Sequence, residues 1–361
     1  MPPPPPSSYR AVTLNKADKY HDIVIQHIKL AKLDKDQVLV KLSAAGYNRR
    51  ELWIRLGKYP NIGFGSTMGA DGAGTVVLSG KENDELLHKR VFLTPMRGWE
   101  SAPDAPEDPK KFSILGGADH DPLGTFAEYA VVDRKEVILT PSHVTDVQMA
   151  AWPVAAVTAW RAAIVNGKVQ KGHNVLITGI GGGVAVTAMQ ICLAQGANVF
   201  VTSGKPEKID KAIALGAQGG VSYKDAQWPK QLAALMKSKN VTPSFQCVID
   251  SGGDDIMSQV GSLLASAGRL VCYGMTASPK ITFTMREVLR NQRLIGSTMG
   301  SRQDLIDATA FLDTHKITPV VSHVLPGLES AEQGFELLKS GEQFGKVVIR
   351  ISDNQPQSSK L

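Results

Sequence analysis

Four of the five residues in 179–183 are glycine. They stand directly after the β-branched run 174–178 and directly before the apolar, helix-compatible run 184–193. A strand, a tight turn and a helix start in that order make a phosphate cradle, because the N–H groups at the helix N-terminus attract an anion and a Cβ would obstruct its approach. The ligand that suits this chemistry is the pyrophosphate of a dinucleotide, with Gly179, Gly182, Gly183 and Val184 lining it. Glycine clusters also make ordinary turns, so the flanking elements have to decide. A second group of polar side chains, Asn48, Arg49, Arg50, Trp53, Lys58 and Tyr59, falls in a loop that leads into a short helix. Their bland alternatives are a turn residue for Asn48, a solvated charge pair for Arg49 and Arg50, and packing for Trp53 and Tyr59.

The elements around the glycines are the ones a dinucleotide site needs. A second strand at 198–202 and a helix at 206–215 follow at once. Strands at 220–223, 245–250, 268–273 and 294–298 then alternate with helices at 229–239 and 256–265. That alternation predicts an α/β fold with a doubly wound parallel sheet. Before it, residues 11–42 alternate in short polar and apolar runs, which predicts antiparallel strands and a β-rich first domain. Residues 94–117 are irregular and rich in proline and acid, as in a surface lobe or lid. Helices at 304–314 and 329–340 precede a closing strand at 346–351 that returns to the first domain. The domains expected are a Pro-rich lead at 1–9, a β-rich domain at 10–150, a nucleotide domain at 151–300, a return at 301–351 and a flexible tail at 352–361.

The 361 residues suffice for two cores, and 43% hydrophobic with 20% charged content describes an ordinary globular chain. No apolar run approaches a bilayer span, and MPPPPPSS lacks the features of a secretory signal, so an intracellular protein without a membrane segment is expected. The net charge of +6 comes from dispersed basic residues without interleaved aromatics, which favours a phosphate-bearing small molecule over nucleic acid. Cys192, Cys247 and Cys272 are too few and too separated for a disulfide framework or a cysteine zinc cluster. His120, between Asp119 and Asp121, imitates a metal cluster, but adjacent residues cannot converge on one ion.

The segments AAGYNRREL, GADGAG, GTFAEY, PVAAVTAWRA, VLITGIGGGVA, VIDSGG, AGRLVCYG and FGKVVI stand in this order over about residues 10–351. In that order they resemble the medium-chain dehydrogenase/reductase superfamily, specifically its zinc-free quinone oxidoreductase and enoyl reductase branch. The resemblance implies a Rossmann domain beside a GroES-like catalytic domain. It also puts Asn48, Ala70 and Val154 at the positions where zinc-dependent relatives hold their catalytic metal, a set that cannot bind zinc. It implies no metal, hydride reduction of a conjugated carbonyl or quinone, and Asn48, Arg50 and Trp53 as candidate donors. An enoyl thioester reductase is the alternative, needing a basic surface near Arg49, Arg55 or Lys58. An NADPH-binding protein without significant turnover is the alternative from another class. Asp71 matches a family acid, with an ordinary turn aspartate as its bland alternative, and is not expected to take a direct part in the chemistry.

An NAD site usually ends its second strand in an acid that accepts from the ribose hydroxyl. Here that position is Ser203, followed by Lys205 and Lys208, which suits the 2′-phosphate of NADP(H). The resemblance adds Lys208 and Tyr223 at that phosphate. It adds Tyr273, Gly274 and Ser297 at strand ends bordering the nicotinamide, Thr158 at its ribose or carboxamide, and Lys346 among the cofactor residues. Homodimerisation is a family expectation. The terminal Ser359-Lys360-Leu361 reads as an address for the peroxisomal import receptor, with a cytoplasmic protein as the alternative.

Overall fold

The computed structural model describes residues 6–352 apart from His120. Ser359-Lys360-Leu361 and most of the Pro-rich lead therefore lie outside the described residues. The chain divides into two compact units. One comprises residues 1–154, 301–306 and 318–361, and the other 155–300 and 307–317. The stretch 301–351 thus does not return whole to the first unit, because Asp307–Ile317 belongs with the second.

The first unit is built on antiparallel strands. Ser8–Asn15 pairs with Asp22–Lys29, so the β-structure begins at Ser8, inside the stretch expected to be lead. A seven-stranded sheet runs in the order Val321–Pro326, Lys346–Arg350, Gln37–Gly46, Asp71–Ser79, Arg90–Leu93 and Val137–Leu139, with Tyr129–Asp133 also pairing with Gln37–Gly46. Period-two alternation sends Val38, Val40 and Leu42 into one buried cluster with Val76, Val91 and Val132. A second cluster stacks Tyr47, Phe126 and Phe335, with ring centroids 4.6 and 5.3 Å from Tyr47. The Tyr47 hydroxyl donates to Ala331 O at 2.8 Å, satisfying the one polar atom this ring buries. The 94–117 lobe contains a small antiparallel pair, Met96–Arg97 with Ser113–Ile114.

The second unit carries six parallel strands. In space they run Gly219–Ser222, Asn198–Ser203, Asn174–Ile177, Phe245–Asp250, Leu264–Cys272 and Arg293–Gly296. Counted in chain order this is 3-2-1-4-5-6, so the order reverses between Asn174–Ile177 and Phe245–Asp250, the place where such sheets bind ligands. The central strand is buried at all four positions, as a strand covered on both faces must be. Phe200, Phe245, Leu232 and Trp228 lie in one core, and burying each large side chain contributes about 1.5–3 kcal/mol. One expectation changes here. The helix expected at 256–265 stops at Val260, and its last residues join Leu264–Cys272 because they pair with Phe245–Asp250. The helix Pro153–Trp160 continues as a π-helical turn, Arg161–Asn166. Among the described residues no helix is long and apolar enough to cross a membrane.

Candidate functional site

In the first unit three strand ends bring together residues far apart in sequence. The antiparallel register sets Val348 opposite Gly46 and Gly46 opposite Asp71. Two residues beyond, Lys346 comes to face Asn48, and both meet Asp71. Lys346 Nζ donates to Asn48 Oδ1 at 2.5 Å and to Asp71 Oδ2 at 2.7 Å. Asn48 Nδ2 donates to the same Asp71 oxygen at 3.0 Å, and the backbone N–H of Val154 to the other at 2.8 Å. All of this is shielded from solvent, with Asp71 fully buried, Lys346 at 5% and Asn48 at 9% exposure. Asp71, the match to a family acid, is the acceptor on which the cluster closes. Lys346, expected at the cofactor, is bound within this unit by Asn48 and Asp71.

Asn48 also starts the helix Arg49–Arg55. Its N–H donates to Glu51 Oε2 at 2.5 Å, the backward half of a capping box. Burial pushes the Glu51 carboxyl above its usual range, with Arg50 and Lys346 opposing that rise. Arg50, a candidate donor to substrate, binds backbone and side chains of its own unit. Its guanidinium donates to Leu115 O at 2.7 Å, lies 3.4 Å from Glu51 Oε1 and covers the Tyr59 ring at 5.1 Å, so it holds the 114–115 backbone. Trp53 is half-buried, with Lys58 Nζ 5.9 Å over its ring. Arg55 cannot serve an exposed basic surface, since it is buried, paired with Glu332 at 2.6 Å and held between the rings of Tyr20 and Phe335.

Within this set Ala70 and Val154 offer no side-chain donor atom for a metal. Among the described residues no group of three His, Cys, Asp or Glu could hold an ion. The residues at positions 48, 70 and 154 therefore do not make a zinc ligand set.

In the second unit the glycine loop has the shape its sequence requires. Gly182 caps the helix Gly183–Ala194 without any side-chain hydrogen bond, and no acid stands in the first turn. Gly179 has φ +61° and Gly181 φ +134°, conformations that favour glycine. A Cβ on Gly181 would lie 2.6 Å from Lys208 Cδ, so the lysine stem runs across the loop. At the end of Asn198–Ser203, a Cβ on Gly204 would lie 2.7 Å from the Tyr223 hydroxyl and 3.1 Å from Lys224 Cε. Ser203, Tyr223 and Lys224 thus gather at one strand end, with Ser203 Oγ accepting from Lys205 N at 3.1 Å. Lys224 was not singled out by sequence, although it follows Tyr223 directly.

The switch point holds further residues that sequence reasoning passed over. Thr178 Oγ1 donates to Asp250 Oδ1 at 2.5 Å, and Asp250 Oδ2 accepts from the N–H groups of Gly252 and Gly253 at 3.1 and 2.7 Å. The acid within VIDSGG, which ends the strand Phe245–Asp250, was the available signal. Ser251 Oγ would lie 3.3 Å from a Cβ on Gly179, and Ser251 O 2.9 Å from one on Gly274. Burial pushes the Tyr273 hydroxyl well up, against a hydrogen bond from Ser251. Thr158 is buried with its hydroxyl 3.8 Å from Met299 Sδ, and Ser297 Oγ accepts from Asn166 Nδ2 at 3.1 Å. Cys192 and Cys247 are buried, whereas Cys272 is only partly so, its thiol raised to about 11 by burial and Asp250.

Residues 34–142 match the family model described as an alcohol dehydrogenase GroES-like domain, and residues 183–314 that of a zinc-binding dehydrogenase. A zinc-type alcohol dehydrogenase-like protein of Leptosphaeria maculans is 39% identical over 92% of this chain and 95% of its own. An acryloyl-coenzyme A reductase of Sulfurisphaera tokodaii is 24% identical over 90% of this chain and 96% of its own. Among solved structures, an NAD-dependent alcohol dehydrogenase superposes with a TM-score of 0.82 at 29% identity, covering 95% of this chain and 100% of that one.

Proposed function

Because the chain belongs to the medium-chain dehydrogenase/reductase superfamily, and is an oxidoreductase of that family, we propose that it reduces a conjugated carbonyl or quinone with NADPH and without a metal. The observation that carries this reading is the buried Asn48–Asp71–Lys346 cluster, in the segment where the family resemblance implies metal ligands. Of the three side chains that the resemblance sets at those positions, Ala70 and Val154 carry no metal-donor atom, and Asn48 is engaged by Lys346 and Asp71.

In this reading Gly179, Gly182, Gly183 and Val184 receive the pyrophosphate. Ser203, Lys208 and Tyr223 receive the 2′-phosphate, joined by Lys224. No acid ends the Asn198–Ser203 strand to accept from a ribose hydroxyl, which favours NADP(H) over NAD(H) despite the NAD-dependent structural relative. Bound NADPH supplies the hydride. Asn48 donates a hydrogen bond to the substrate oxygen as negative charge develops there. A neutral donor suits conjugated acceptors, in which the charge spreads over several atoms, better than simple ketones. The likeness to an acryloyl-coenzyme A reductase supports an enoyl thioester as the alternative substrate. The burial of Arg55 counts against part of the basic surface that substrate requires.

A homodimer joined through the second unit is supported by its edge strand, Arg293–Gly296, which pairs with one neighbour only among the described residues. In the stretch that precedes it in sequence, Met275, Met285 and Leu289 are 67%, 65% and 79% exposed.

The deciding experiment is NADPH consumption with a panel of quinones, enals and enoyl thioesters. Turnover of one class identifies the substrate. Saturable NADPH binding without turnover of any member would replace the reading with that of a binding protein.

A further inference from the structure

We infer that Lys346 is a positioning residue that locks and polarises the side-chain amide of Asn48. The inference rests on the reading of Asn48 as the donor to substrate. An ammonium can only donate and a carboxylate can only accept. With Lys346 Nζ 2.5 Å from one amide atom of Asn48 and Asp71 Oδ2 3.0 Å from the other, a single amide orientation satisfies both neighbours. Lys346 also donates to that same Asp71 oxygen at 2.7 Å, so the three side chains close a ring. Val154 N–H anchors the ring through the second oxygen of Asp71.

The amide nitrogen carries two N–H bonds. One goes to Asp71, and among the described residues no acceptor takes the other. A positive charge on the amide oxygen draws electron density away from the nitrogen. In a buried setting, where hydrogen bonds polarise one another, the remaining N–H becomes a stronger donor. The ammonium thus acts through the amide on the oxygen the amide binds. A neutral side chain at 346 would leave the amide held by Asp71 alone and unpolarised. The pairing register that brings Lys346 opposite Asn48 is what makes the arrangement available.

The test is a cycle of Asn48→Ala, Lys346→Met and the double variant. Single-turnover NADPH oxidation is measured with 1,4-naphthoquinone, trans-2-hexenal and crotonyl-coenzyme A. Lys346→Met is expected to slow hydride transfer about 10–100-fold, less than the loss of a whole donor, while NADPH affinity stays within about twofold. In the Asn48→Ala background it is expected to add nothing. Losses that multiply would overturn the positioning role and leave Asn48 as donor. A wild-type rate in Asn48→Ala would refute the donor reading itself. The Asn48 side-chain amide resonances, assigned by their loss in Asn48→Ala, decide the point without turnover. They are expected to move upfield in Lys346→Met, and unchanged resonances would overturn the proposal. Should Lys346→Met fail to fold, Asp71→Asn/Lys346→Met removes both buried charges together, and the same resonances are read there.

Discussion

The most direct perturbation of the cofactor reading is Lys208→Met. The lysine stem crosses the glycine loop closely enough that a Cβ on Gly181 would meet it at 2.6 Å. Methionine keeps an unbranched apolar stem of similar reach, so packing on the loop survives and only the charge is removed. A hydrogen bond to a charged group contributes about 1.5–3 kcal/mol, which corresponds to about 10–150-fold in affinity. NADPH should therefore bind about 10–150-fold more weakly, and NADH, lacking the 2′-phosphate, within about twofold of the parent. Lys208→Glu should widen the gap further through repulsion. Fluorescence titration of each variant with both cofactors reads this directly. Equal weakening for NADPH and NADH would refute the phosphate assignment and reduce Lys208 to a support for the loop. No weakening of either would remove it from the site.

Other outcomes follow from the same structure. The purified protein should contain well under one zinc per chain, and chelation should leave turnover unchanged, as metal analysis would show; stoichiometric zinc lost together with activity would reverse the metal-free reading. Glu107 is held at about 2 by the N–H groups of Ser101, Ala102 and Glu100, so its support of the lobe is present above about pH 4.5 and is lost as pH falls toward 2. Hydrogen exchange at residues 100–102 should rise across that window, and Glu107→Gln should raise it already at neutral pH. Leu289→Asp should shift the sedimentation coefficient toward a monomer without loss of the fold, and an unchanged value would exclude this face from the dimer. Removal of Ser359-Lys360-Leu361 should leave a fluorescent fusion in the cytosol, and unchanged peroxisomal signal would reject the address.

Much of the second unit was legible because its signals are local. The strand, glycine turn and helix at 174–194 are contiguous, and the missing acid at Ser203 is a matter of counting. The helix expected at 256–265 was misjudged for the opposite reason. An apolar run suits either element, and only pairing with Phe245–Asp250 makes its end a strand. In the first unit the composition at Asn48, Ala70 and Val154 argued against a metal, but nothing local assigned the polar roles. Arg50 and Arg55 looked alike in sequence, yet one holds a loop backbone and the other is buried between two rings.

The sequence by itself determined the glycine turn between strand and helix and the alternation that yields a parallel sheet, since each depends on residue types within a few positions. The tertiary structure alone decided that Lys346 meets Asn48 across 298 residues and that both close on Asp71. Three strands had to pair in one register before those side chains could face each other, and register between distant strands is set by the packing of the whole sheet.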